Sequence, residues 1–183
     1  MEEAGDLEAE GDLAAAAAAS PEVAADSAAA EPGGAGDAMS WLSPEPKIDH
    51  ERVVAAIRAA EARTSGEIRV TIARHKVEDP VVAAQAYFNK MGMANSPHKN
   101  GILIFVSPRS RKFAVIGDSA VHEKCGDAFW ASLAEAMGGH FRSGDFTAGL
   151  VHGVERAGKL LAETFPRSKS DPAARAPDAS EVD

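Results

Sequence analysis

The chain has 183 residues, 45% of them hydrophobic, and a formal charge of −9, which is enough apolar mass for one ordinary domain and too little for two sizeable ones. Ten acids and no lysine or arginine fall in residues 1–40, whereas residues 41–166 hold sixteen basic and fourteen acidic residues; the acidity belongs to a tail, and a strongly basic nucleic-acid-binding surface is excluded. A single cysteine, Cys125, leaves no room for an intramolecular disulfide framework or a zinc site of several thiolates.

Residues 1–40 contain no aromatic residue and few branched aliphatics. Such a segment buries too little apolar surface to offset the entropy of ordering its backbone, so it is expected to be a disordered, Ala-rich acidic tail. Its first ten residues, MEEAGDLEAE, lack the positive charge of a secretory signal, and the alanine run at 14–19 is short. No apolar run approaches the ~20 residues of a membrane-spanning helix. The expectation is a cytoplasmic protein with no membrane span and no nucleic-acid partner.

The folded part is expected at 41–166. A first helix is predicted over 49–63, with Asp49 as its cap and Ile48, Val53, Ile57 and Ala60 as its apolar stripe. Thr64, Ser65 and Gly66 stop it. A strand follows at 67–73, where Ile68, Val70 and Ile72 alternate with Glu67, Arg69 and Thr71. A second helix is predicted over 80–91, capped by Asp79 with Pro80 in its first turn. Residues 101–107 begin GILIFV, an apolar run without alternation, as in a strand covered on both faces. A turn at 107–111 leads to a third strand at 112–117. A third helix is predicted over 119–137, with Val121, Cys125, Phe129, Leu133 and Met137 on its stripe. A fourth begins after Asp145, carries Phe146, Leu150, Val154, Leu161 and Phe165, and ends at Pro166. Residues 167–183 read as a second disordered tail.

Strands one and two are joined through a helix and should be parallel. Strands two and three are joined by a tight turn and should be antiparallel. The expected fold is α/β: a three-layer α/β/α sandwich around a small mixed sheet, with disordered termini. This topology sorts the polar residues into two rims. One carries Thr64, Ser65, Glu67, Asn100 and Asp118. The other carries Arg74, His75, Lys76, Arg109, Arg111 and Lys112, with Asp145 expected at the same end because the third helix is over about 20 Å long.

Glu67 and Asp118 on one rim, with neighbouring carbonyls, are candidate ligands for a hard cation such as Ca2+ or Mg2+; the simpler reading is an edge-of-sheet carboxylate and a helix cap. His122, four residues after Asp118, is a candidate supporting residue or alternative site, as is Asp145. Arg109 and Arg111 are candidate anion binders, the simpler reading being a solvated turn. Cys125 lies on an apolar stripe and reads as a buried, inert thiol. Two motif look-alikes fail. Gly153 to Lys159 has the spacing of a phosphate-binding loop, but Leu160 stands where a Ser or Thr is needed, and the segment lies inside a helix. His122 and Glu123 begin a zinc-protease pattern whose second histidine is Gly126.

The ordered landmarks are TSGEIRV at 64–70, AAQAYF at 83–88, NGILIFVS at 100–107, RKFAVIGD at 111–118, Phe129 and Trp130, and GDFTAGLVHGVERAGKLLAETFP at 144–166. In this order they resemble the TPM domain family, the thylakoid-lumen phosphatase-like domain also found in bacterial envelope proteins. The resemblance covers 48–166. It implies an α/β/α sandwich, an acid-phosphatase-like activity for some members, calcium association for some, and roles in the assembly or repair of membrane complexes. Glu67, Asp118 and Asp145 match the family's acidic positions. Many relatives carry a signal peptide and a carboxyl-terminal anchor; neither pattern is read in this sequence.

Two functions are expected in consequence. One is a metal-assisted phosphatase acting on phosphomonoesters. The alternative is a non-catalytic interaction or assembly module with a protein partner, such as one in a membrane-associated complex.

Overall fold

Four aspartates set the helices where the sequence places them. In the computed structural model, which describes residues 46–168 and 178–182, α1 (His50–Glu61) starts at Asp49, whose carboxylate accepts the Arg52 N–H at 3.0 Å. α2 (Pro80–Lys90) starts at Asp79, which accepts the N–H groups of Val81 and Val82. α3 (Ser119–Arg142) starts at Asp118 and α4 (Phe146–Thr164) at Asp145. Each cap satisfies donors that a helix start otherwise leaves unpaired.

The strands β1 (Glu67–Ala73), β2 (Gly101–Ser107) and β3 (Lys112–Gly117) have the expected bounds. β1 and β2 pair in parallel and β2 and β3 antiparallel, so the sheet is mixed as expected. Its two faces bury different sets. Ile68, Val70, Ile72, Ile102, Ile104, Val106, Phe113 and Val115 pack under α1, α3 and α4 with Trp130, Leu133, Met137, Leu150 and Leu161. Leu103, Phe105, Ala114 and Ile116 face the opposite layer with Ala84, Phe88 and Met93. β2 contributes to both clusters, which explains its apolar run. The result is the three-layer sandwich, three helices on one face and α2 on the other. Each large side chain withdrawn from water contributes roughly 1.5–3 kcal/mol.

The glycine spacing of 153–159 belongs to packing. A Cβ on Gly153 would sit 2.6 Å from the Met137 sulfur, and one on Gly158 would run into the Ala60 side chain. These glycines let α4 lie close against α3 and α1.

Two expectations are corrected. The third helix runs to Arg142 rather than 137, and it is broken at Gly126, whose φ of 65° and ψ of 173° are not helical; only glycine adopts that backbone at little cost. The tail read at 167–183 also contains structure. β4 (Asp178–Val182) pairs in parallel with β1, giving the order β3-β2-β1-β4. Its sequence, DASEV, has no apolar alternation, so periodicity gives no sign of it. It covers the β1 edge through backbone pairing, the usual remedy for an open edge. The acidic tail read at 1–40 lies outside the described residues. Among the described residues no helix is long and apolar enough to cross a membrane.

Candidate functional site

The first rim is built from the turn between α1 and β1. The Thr64 hydroxyl lies 3.0 and 2.6 Å from the carbonyls of Leu161 and Phe165, and its oxygen accepts the Gly66 N–H at 3.0 Å. Asn100, buried at the entry to β2, donates its side-chain N–H to the Ser65 hydroxyl at 3.2 Å. These bonds tie the end of α4 and the starts of β1 and β2 into one surface.

On this surface Glu67 is the register partner of Gly101, and the Asp118 N–H donates to the Gly101 carbonyl at 2.9 Å. Glu67 at the start of β1, Gly101 at the start of β2 and Asp118 just past the end of β3 therefore form one row. The two acidic residues share a rim, about 10 Å apart along the backbone by two strand spacings.

The two carboxyls differ in their commitments. Asp118 is 8% exposed. Its Oδ1 accepts the Ser119 N–H at 2.8 Å, while its Oδ2 is buried without a hydrogen-bond partner. Burial pushes its pKa above the ordinary carboxylate value, opposed by the Ser119 bonds and the charge of Lys99. Glu67 is held by Arg69: Oε1 lies 2.7 Å from Nη2 and 2.8 Å from Nε. The partners are two residues apart on one strand and so share a face, a signal present in the sequence.

A third acid was not among the sequence candidates. Glu61, 4% exposed, accepts the Ile68 N–H on Oε1 at 2.9 Å, and its Oε2 is buried without a partner. Burial raises its pKa foremost. The Ile68 bond, Arg69 and Arg167 lower it, and Glu67 raises it further. Helical spacing would have found it: Val53, Ile57 and Glu61 fall at i, i+4 and i+8 on the buried stripe.

His122 stands one turn beyond Asp118. Its Nδ1 is buried without a partner, and its Nε2 is 3.9 Å from the exposed Asp127 carboxylate. Asp145 caps α4, accepting the Ala148 N–H at 2.9 Å. It lies at the other end of the sheet, near the α1 start, where the Asp49 N–H donates to the Thr147 hydroxyl at 3.0 Å. It does not join Asp118 and Glu67. Arg109 and Arg111 are exposed on the rim opposite Asp118. The loops there are strapped together by Val77 N–H to Ser110 Oγ at 2.7 Å, Ser107 Oγ to the His75 carbonyl at 2.9 Å, and Lys112 Nζ to the Glu78 carbonyl at 2.7 Å. Cys125 packs half-buried against the core, and burial pushes its thiol up, away from the reactive thiolate.

As a cation site the first rim offers Asp118 Oδ2, which is buried and has no hydrogen-bond partner, and the Glu67 carboxylate. Glu67 has its Oε1 held by Arg69, and waters and carbonyls must supply the rest of the six to eight oxygens calcium takes. Among the described residues no three His, Cys, Asp or Glu side chains are grouped to hold a metal.

A family model described as "TPM domain" matches residues 37–160. No curated protein matches the chain. Among solved structures, the BA42 protein of the psychrophilic bacterium Bizionia argentinensis is 34% identical, with a TM-score of 0.68 over 77% of this chain and 99% of that one. The N-terminal domain of the cg2496 protein of Corynebacterium glutamicum is 17% identical, with a TM-score of 0.50 over 75% and 81% of the two chains. The N-terminal domain of a P. gingivalis protein is 17% identical, with a TM-score of 0.51 over 68% and 88%. The last two show the shared fold alone.

Proposed function

Since the chain belongs to the TPM domain family, we propose that it is a phosphatase-like hydrolase acting on phosphomonoesters at the rim shared by Asp118 and Glu67. The family model carries the name TPM phosphatase. The observation that carries the reading is Asp118 Oδ2, a buried carboxylate oxygen without a hydrogen-bond partner on the rim that also carries Glu67. Asp118 and Glu67 would hold a Ca2+ or Mg2+ ion. Such an ion supplies charge to a phosphoryl oxygen and lowers the pKa of bound water. Asp118 is positioned for the task by its cap on α3, which fixes Oδ1 and leaves Oδ2 free. Lys99, close enough to lower the Asp118 pKa, adds positive charge for an incoming phosphate.

The test is phosphate release from p-nitrophenyl phosphate in the presence of Ca2+, Mg2+ or a chelator. Asp118→Asn, which keeps an oxygen for the cap, should lower kcat by roughly 10–100-fold. Equal rates in the two proteins would remove Asp118 from the reaction. No release with either cation would remove the enzyme.

A second reading, a non-catalytic interaction module for a protein partner in a membrane-associated complex, is favoured by the Glu67–Arg69 ion pair. That pair commits the second acid to the chain's own cation. Here neither cation should raise Tm, and Asp118→Asn should leave partner capture intact.

A further inference from the structure

We propose that His140 and His152 form a two-imidazole site for a late transition-metal ion, Zn2+, Ni2+ or Cu2+, which would staple α3 to α4. The site lies apart from Asp118 and Glu67 and does not depend on the phosphatase reading.

His140 lies in the last turn of α3, and its carbonyl accepts the Asp145 N–H at 3.0 Å, so the turn into α4 is folded back on it. Gly149 is where α4 crosses. A Cβ there would fall 3.1 Å from the His140 Cβ and 2.5 Å from the Phe141 ring, so no side chain separates the helices. His152 is three residues beyond Gly149 and thus on the same face one turn on. The two rings lie with centroids 5.6 Å apart and planes at 47°. Both residues are half-buried, open to solvent but held by helices rather than loops.

The separation suits a shared ion. A metal–nitrogen bond of about 2.0–2.1 Å places each ring centroid about 3.2 Å from the metal. Two such rings at a tetrahedral angle have centroids about 5.2 Å apart, within about half an ångström of the pair seen here. Neutral imidazole suits zinc, copper and nickel, whereas Ca2+ and Mg2+ prefer oxygen. Two protein ligands leave the other positions to water. Because both ligands already stand on packed helices, little order has to be imposed on binding.

The experiment uses the full chain after EDTA treatment and dialysis. Zn2+, Ni2+ and Cu2+ should each raise Tm, on the order of 5 °C when well above Kd, while Ca2+ and Mg2+ should give no shift that depends on this pair. The electron paramagnetic resonance spectrum of one equivalent of Cu2+ should show coupling to two imidazole nitrogens. His140→Gln and His152→Gln should each abolish the Tm shift and the two-nitrogen signal. His98→Gln, at an exposed histidine elsewhere, should retain both. Absence of a two-nitrogen copper signal in the unaltered protein would overturn the site, even if either variant folded poorly. So would a Tm shift that survives both substitutions.

Discussion

The carboxylate of Glu61 accepts the backbone N–H of Ile68 at 2.9 Å. Ile68 directly precedes Arg69, the first β1 residue paired with β4, so a side chain from α1 continues the cover of the strand edge where the backbone ladder ends. An acid does this only by leaving water, and the second carboxylate oxygen is buried without a partner.

This arrangement sets a pH dependence. Burial lifts the Glu61 pKa above the ordinary 4.5 in the folded chain. Between those two values the folded state binds more protons than the unfolded one. Stability from this group therefore falls as pH rises from about 4.5 through the raised value and is level above it. Glu61→Gln keeps an acceptor for Ile68 and carries no charge, so its unfolding free energy should lack that decline. Glu61→Ala leaves the Ile68 N–H unpaired and should cost about 1–3 kcal/mol relative to Glu61→Gln at every pH. Urea unfolding of the three proteins from pH 4 to 8 measures both effects; parallel curves for the unaltered protein and Glu61→Gln would dismiss the linkage.

Most of this architecture is legible because local signals agree with burial. Ile68, Val70 and Ile72 alternate where one face of β1 meets the main core, and the GILIFV run marks the strand covered twice. Asp49, Asp79, Asp118 and Asp145 announce the four helix starts. β4 escapes because DASEV forms a strand through the β1 edge, a long-range effect with no local periodicity. Glu61 escapes because acids are rarely buried, although its spacing from Ile57 placed it on the stripe. The row of Glu67 and Asp118 follows from topology alone. The capture of Glu67 by Arg69 is written in their two-residue spacing on β1, whereas the orphaned Asp118 oxygen depends on side-chain packing, which topology does not specify.

The break in α3 gives a second prediction. No heavy atom within 4 Å would obstruct a Cβ on Gly126, so space is not the constraint there. The constraint is backbone, since φ 65° with ψ 173° lies in a region essentially reserved for glycine. Gly126→Ala should destabilise by about 1–3 kcal/mol without touching the core. Gly92, with φ 71° and ψ 16°, lies instead in the left-handed region that asparagine tolerates. Gly92→Asn should therefore cost distinctly less. Chemical denaturation of the pair decides it: equal losses would mean that strain at Gly126 is not what terminates the first helical segment.

Helix crossings yield the opposite contrast. At Gly158 the backbone is helical and ordinary, and space is what is missing. An added Cβ would lie 3.2 Å from the Ala60 Cα and collide with its Cβ. Gly158→Ala should force α4 away from α1 and cost about 1–3 kcal/mol, outweighing the helix propensity gained. Gly139 is also helical, but nothing lies within 4 Å of its Cβ position. Gly139→Ala should stabilise by about 0.5–1 kcal/mol. Ala60→Gly placed with Gly158→Ala should recover part of the loss by reopening the crossing. The recovery will be incomplete, because a glycine inside α1 carries its own penalty of up to about 1 kcal/mol. Thermal unfolding of the three variants separates the two effects. If Gly158→Ala matched Gly139→Ala in direction, close approach of α4 to α1 would not be the reason that position lacks a side chain.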